Sequence, residues 1–422
     1  MTRRCCLFLL ASLLYACPAL AAPLKPVVTL GVDVLLSQKT ALIEGKRLGI
    51  VTNSAAVDGN LVTTLERLRG DSRWQVTQLY APEHGIAGAL HNGNSGESGL
   101  DPETGLPIEG LFTRGPSVES LDRVDVVIFD LQDIGSRTYT YVTTLGQVMR
   151  ACAEFKKPLL VLDRPNPRGG LQFEGPIRLP KYKSLIGWGP LPVTHGMTVG
   201  EMAQFYKSEL NIACDLTVVP MQGWRRDMVW EDTGLFWIPT SPGIPHPLNA
   251  HLYVATGMVG GSGPNVNEGG GMSMPFELIG APWIEPKAFA AALEAEKLPG
   301  LRFRPMTFLP RRGQFANKVT HGVQILLQDP RELVPLRTAL TILVTLKKLH
   351  PDQLTVKDRK RFGRVWGNDE VLRLIDEGKS VAEIEATWAG ELAAFGQKRA
   401  KVLIYPSPTP AAAEARPLAS QP

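Results

Sequence analysis

"RVDVVIFDLQDIGSR", Arg123 to Arg137, is the stretch whose reading decides the fold. Its apolar run from Val126 to Phe129 is unbroken, with no polar residue alternating into it. That pattern suits a strand buried on both faces, as in a parallel sheet covered by helices on either side. The run stops at Asp130, and Gln132, Asp133 and Arg137 follow within one turn's length. A buried strand that opens into a cluster of polar groups is a place to look for chemistry.

The neighbouring segments agree. Lys46 to Asn53 reads as a strand, Leu61 to Leu68 as a helix, and Trp74 to Tyr80 as a second strand. Tyr139 to Phe155 reads as a helix and Pro158 to Leu162 as a fourth strand. Strands and helices in alternation predict an α/β domain with a parallel sheet. Each strand ends in polar residues: Asn53 after the first, and Glu83 and His84 of "YAPEHGIAG" after the second. Asp130, Asp133 and Arg137 follow the third, and Asp163, Arg164 and Asn166 the fourth. Parallel strands place these ends on one rim, where ligands of open α/β sheets bind. Taken singly, Asp130 or Asp163 reads equally well as a helix cap or turn-former, and "PEHG" as a tight turn. The coincidence across four strand ends favours a site. No Gly-x-Gly-x-x-Gly follows the first strand, which argues against a dinucleotide cofactor.

Composition narrows the class. The 422 residues carry 45 Lys and Arg against 41 Asp and Glu, a formal charge of +4. No basic stripe points to nucleic acid. Arg3 and Arg4 precede an apolar run from Cys5 to Ala16, with small residues at Ala19 and Ala21. This is the pattern of a signal peptide over residues 1–21, so the mature chain is expected to be exported, periplasmic or secreted. A lipoprotein reading, with Cys17 acylated as a lipid anchor, competes with simple cleavage. Beyond the leader only Cys152 and Cys214 remain, too few for a disulfide framework. No later segment is apolar enough to span a membrane. Pro406 to Pro422 is rich in Pro, Ala and Ser and is expected to be disordered.

Carboxylates with an arginine and no cysteine nucleophile suit acid–base hydrolysis of a glycoside. The proton donor needs a raised pKa, which burial or a second carboxylate supplies. Glu83, on its constrained turn, is the candidate donor, with His84 assisting. Asp130, Asp133 and Asp163 compete for the second role. A metal is the chemical rival, since His84, His91, His195, His246 and His251 are present, but no ligand-spaced pair occurs. No metal and no cofactor are therefore expected.

"GIVTNSAAVDG", "YAPEHGIAG", "FDLQDIGSRTYTYVTTL", "VLDRPNP", "PVTHGMTVGEMA", "PTSPGIPH", "PFELIGAPWI" and "FGRVWGNDEVL" occur in order along the chain. This set resembles the exo-β-N-acetylmuramidases of peptidoglycan recycling, formerly a domain of unknown function, from about Val27 to Tyr405. The resemblance implies a Rossmann-like catalytic domain over residues 27–240 and a smaller α/β auxiliary domain over 241–405. It implies an active site in the cleft between them, release of N-acetylmuramic acid from non-reducing ends, and no nucleotide cofactor. By motif match the family's catalytic glutamate falls on Glu83, and Asp130, Asp133, Arg137 and Tyr139 are expected to line the same pocket. Arg137 and Arg164 are candidates to hold the lactyl carboxylate of muramic acid. The chain departs from the family pattern at Ala87, Gly243, Gly270 and Met272, where Arg, Asn, Arg and Thr are usual. These departures bear on the sugar more than on the reaction; the rival reading, a non-catalytic saccharide-binding relative, gains from them and loses from the intact "PEHG" and "DLQDIGSR".

Three further readings complete the set. Thr198 to Glu201 is a capping box, so His195 just before it is weighed evenly between substrate binding and a structural role. Glu268, in the glycine-rich "NVNEGGGMSM", is a candidate carboxylate from the other side of the cleft. Arg331 to His350 reads as an amphipathic core helix, with Pro335 tolerated in its first turn. Asn53 completes the expected substrate-binding residues.

Overall fold

The computed structural model describes residues 27–91, 93–96 and 98–407. Residues 1–21, read above as a signal peptide, Cys17 among them, and residues 408–422 lie outside the described residues.

The N-terminal region is a seven-stranded sheet. Its strands are β1 (Arg47–Val51), β2 (Gln75–Ala81), β3 (Gly99–Leu100), β4 (Pro107–Gly110), β5 (Val126–Phe129), β6 (Leu159–Leu162) and β7 (Leu216–Val219). They lie in the order β3-β4-β2-β1-β5-β6-β7. Every neighbouring pair is parallel except β3 with β4. The chain therefore builds outward from β1 in one direction and, from β5 on, in the other.

The unbroken apolar runs are explained by burial on both faces. Val127 and Phe129 of β5, with Leu159 and Val161 of β6, pack under α4 (Tyr141–Glu154) and α5 (Val199–Glu209). The alternate residues Val126, Ile128, Leu160 and Leu162 pack on the opposite face against α1 (Gly31–Gln38). The helix expected from Leu61 begins later, as α2 (Thr64–Arg69), and the short α3 (Val118–Leu121) precedes β5. Thr63 caps it in a box with Glu66, and Leu61 has φ +67, a left-handed conformation that cannot continue a helix. The capping box at Thr198 and Glu201 forms as read.

The C-terminal region holds a separate antiparallel sheet, with β10 (Thr320–Leu327) between β8 (Leu278–Ala281) and β9 (Leu301–Phe308). Helices α6 (Pro247–Gly260), α7 (Pro286–Ala295), α8 (Pro335–Leu349) and α9 (Arg359–Trp366) contribute to a core of their own. Pro335 stands in the first turn of α8, where its missing N–H is harmless. Beyond α10 (Glu370–Asp376) and α11 (Val381–Ala386), α12 (Ala389–Ala400) returns to the first region. There Phe395 packs 5.4 Å from Phe205 of α5, and the Tyr405 hydroxyl donates to Asp163. Among the described residues no helix is long and apolar enough to cross a membrane.

Candidate active site

The turn after β2 positions the candidate acid. Gly85 N–H donates to Pro82 O at 3.0 Å, closing the turn. His84 takes φ +74 and Gly85 φ +77. A histidine in the left-handed region is uncommon and here is held by its surroundings: its N–H donates to Asn94 O, its carbonyl accepts from Leu90 N–H, and its Nδ1 lies 2.8 Å from Leu90 O. A carbonyl only accepts, so Nδ1 carries a proton and donates it there, leaving Nε2 as the ring nitrogen without this bond. Glu83 is half-buried. Its Oε1 accepts from Gly93 N–H and its Oε2 from the Thr140 hydroxyl, each at 2.6 Å. Thr140 is the N-cap residue of α4, so the carboxylate sits at that helix's N-terminus.

Glu83 and His84 open onto a cavity of about 450 Å³. Thr138, Tyr139 and Thr140 line it after β5, Ser184 to Ile186 form another wall, and Ser241, Gly243 and Ile244 precede α6. Tyr253, Phe276 and Arg364 join from the C-terminal region. Tyr139, Tyr253 and Phe276 make a continuous aromatic wall, with ring centroids 6.1 Å and 5.0 Å apart in edge-to-face contact. The lining thus mixes aromatic faces with hydroxyls, and among the described residues Glu83 is its one carboxylate. Burial pushes the Tyr139 and Tyr253 phenols up from their ordinary value, so both stay neutral. A second cavity, of about 580 Å³, lies on the other side of His84 and is lined by Asn53 and Ala87.

The other polar strand ends are buried but turned elsewhere. Asp130 pairs with Arg164 and accepts from the Thr64 hydroxyl, fastening α2 to the ends of β5 and β6. Asp163 accepts from Gly200 N–H, the Thr198 hydroxyl and Tyr405, anchoring the start of α5 and the chain's end. Burial raises its pKa to about 6. Asp133 accepts from Gly135 N–H, and its Oδ2 stands 3.5 Å from His195 Nε2. Asn53 donates to the Tyr141 hydroxyl at 2.9 Å, which in turn donates to Thr240 O. Arg137 is wholly buried and donates to Ile186 O at 3.0 Å and Val365 O at 2.8 Å. Glu268 packs its carboxyl against Gly260 of α6, where burial raises its pKa.

Of the expected site residues, the structure brings Glu83, His84 and Tyr139 together on the cavity. Asp130, Asp133, Asp163, Arg137, Arg164, His195 and Glu268 do not line it, and Asn53 lines the neighbouring one. The physical reason is shared. Asp130 and Arg164 hold each other, Asp163 is held by the cap of α5, Asp133 accepts from Gly135 N–H and Arg137 donates to two carbonyls, as burial demands of a charge. Arg137 acts indirectly, because the carbonyls it clamps belong to two segments of the cavity wall. Arg364, inside the quoted "FGRVWGNDEVL", went unassigned in sequence; its position on the outer face of α9 was the available signal. The histidines weighed as metal ligands are dispersed, and His251 faces Glu231. Among the described residues no group of three or more His, Cys, Asp or Glu side chains is arranged to hold a metal ion.

The departures from the family pattern take different places. Gly243 lines the cavity with ordinary room beside Phe276, 3.6 Å from an added Cβ. At Gly270 a Cβ would stand 2.6 Å from Arg312 O, because Arg311 and Arg312 N–H groups close onto Gly270 O. The backbone occupies the space a larger side chain would need.

The chain matches sequence models of a known family in two consecutive parts. Residues 48–248 match "Exo-beta-N-acetylmuramidase NamZ, N-terminal" and 251–405 match the corresponding C-terminal model. It is 38% identical over 383 residues to the peptidoglycan beta-N-acetylmuramidase NamZ of Bacillus subtilis (strain 168), covering 90% of this chain and 92% of that protein. Crystal structures of two DUF1343 family proteins from Bacteroides fragilis share the fold. One has a TM-score of 0.85 at 33% identity, over 90% of this chain and 100% of that one. The other has a TM-score of 0.72 at 29% identity, over 90% and 99%. The chain belongs to the exo-β-N-acetylmuramidase family.

Proposed function

From membership of this family we infer that the protein is an exo-acting glycoside hydrolase that releases N-acetylmuramic acid from the non-reducing ends of peptidoglycan fragments. The observation that carries the site assignment is the cavity whose lining sets the carboxylate of Glu83 among hydroxyls and aromatic rings. Aromatic faces cover the apolar side of a sugar ring, while hydroxyls exchange hydrogen bonds with its rim.

Glu83 is the proton donor to the leaving glycosidic oxygen in this reading. Thr140 and Gly93 N–H fix its orientation. A mechanism needing two carboxyl groups across the bond finds no second one on the cavity wall among the described residues. Glycosidases acting on 2-acetamido sugars have an alternative, in which the substrate's own acetamido oxygen attacks the anomeric carbon. N-acetylmuramic acid carries that group, so substrate-assisted catalysis fits one carboxylate. His84 Nε2 remains to assist, and no cofactor is invoked.

The leader read over residues 1–21 exports the chain to the compartment where peptidoglycan lies, with acylation at Cys17 as the competing fate. The partner is the saccharide. The test uses purified protein and a β-linked N-acetylmuramic acid–N-acetylglucosamine disaccharide. Wild type should release free muramic sugar, and Glu83→Gln should lose on the order of a thousandfold or more in rate. Binding without release by wild type would turn the assignment to the saccharide-binding reading.

A further inference from the structure

Muramic acid differs from glucosamine by a lactyl ether whose carboxylate is ionised at neutral pH. Selecting it calls for a cation that reaches the sugar site and is not already neutralised, and an arginine fork meets that anion best. The arginines near the site divide clearly. Arg164 is paired with Asp130, and Arg137 is held by two carbonyls. Arg178 donates to the carbonyls of Gly189 and Leu179.

Arg364 is different. Phe362, Gly363, Val365 and Trp366 of α9 are buried, which turns residues 361 and 364 outward. Arg361 donates to Gly261 O at 2.9 Å. Arg364 is exposed, lines the Glu83 cavity, and makes no hydrogen bond or ion pair with any described residue. Its backbone is nonetheless fixed. Arg137 holds the adjacent Val365 carbonyl, Phe362 stacks on Trp366 at 5.6 Å, and Gly367 closes the helix at φ +73. A rigidly based guanidinium, on a wall where Glu83 already accepts two hydrogen bonds, has no partner among the described residues.

We infer that Arg364 is the specificity-determining residue that receives the lactyl carboxylate of the muramyl unit. The inference rests on the hydrolase reading above. It assigns Arg364 a binding role, not a chemical one, so its effect falls on KM and only for substrates that carry the charge.

The experiment compares wild type, Arg364→Ala and Arg364→Lys on two substrates. One is an aryl β-glycoside of N-acetylmuramic acid. The other is the same glycoside with its lactyl carboxylate converted to the methyl amide. For the acid, Arg364→Ala should raise KM about 10- to 100-fold with kcat little changed, as expected for losing a charge-assisted bond. For the amide, KM should be the same in wild type and variant. Arg364→Lys should recover part of the loss on the acid. A thermal melt matching wild type confirms that the exposed substitution leaves the fold intact. Equal losses on both substrates, or no loss on the acid, overturn the assignment. If wild type hydrolyses neither glycoside, the hydrolase reading itself fails, which is a distinct result.

Discussion

Glu174 joins the two regions, and its protonation should make the stability of the whole chain depend on pH. Its Oε2 accepts from Leu336 N–H in the first turn of α8, while its Oε1 is buried with no partner. Burial, only partly offset by Arg168, raises its pKa from 4.5 to about 7. The folded state therefore holds this proton more tightly than the unfolded chain does. Below about pH 4.5 both states are protonated and the full stability is present. Above about pH 4.5 the unfolded chain ionises while the folded one keeps its proton, so stability falls as pH rises from there through about 7, beyond which both are ionised and the loss is complete. A displacement from 4.5 to about 7 corresponds to about 3 kcal/mol, at 1.36 kcal/mol per tenfold change in proton affinity. Glu174→Gln keeps an acceptor for Leu336 N–H but cannot ionise. Urea unfolding should therefore show the variant more stable than wild type at pH 8, by up to about 3 kcal/mol. The difference should shrink toward zero by pH 4.5. A difference between variant and wild type that stays constant from pH 4.5 to 8 would refute the reasoning.

Thr140→Val removes one of the two hydrogen bonds that orient Glu83 and should lower kcat/KM on a muramyl glycoside about 10-fold or more; unchanged kinetics would remove Thr140 from that role. Gly146→Ala would place a Cβ 2.3 Å from the Trp188 ring on the buried side of α4. It should cost about 1–3 kcal/mol by overpacking, and an increase in melting temperature would contradict that. Substrate-assisted hydrolysis predicts that the first product seen by proton NMR is the β-anomer, so an initial α-anomer would exclude it.

The sequence by itself determined the layout. The unbroken run from Val126 to Phe129 reads as a strand covered on both faces, and the structure divides its side chains between two cores. Thr198 with Glu201 marked a helix start, and "PEHG" placed Glu83 just beyond β2. These features are local, because periodicity, caps and turns act over a few residues.

Only the tertiary structure decided which polar groups face the cavity. Asp130, Asp163 and Arg137 look no different in sequence from Glu83, since all follow buried strands. A buried charge must find a partner, and those partners come from distant segments: Arg164 for Asp130, Tyr405 for Asp163, Val365 for Arg137. Glu83 accepts its two hydrogen bonds at the cavity's edge and remains half-exposed. Arg364 reaches the same cavity from a helix more than two hundred residues downstream. Its role depends on a juxtaposition of two regions that no local pattern encodes.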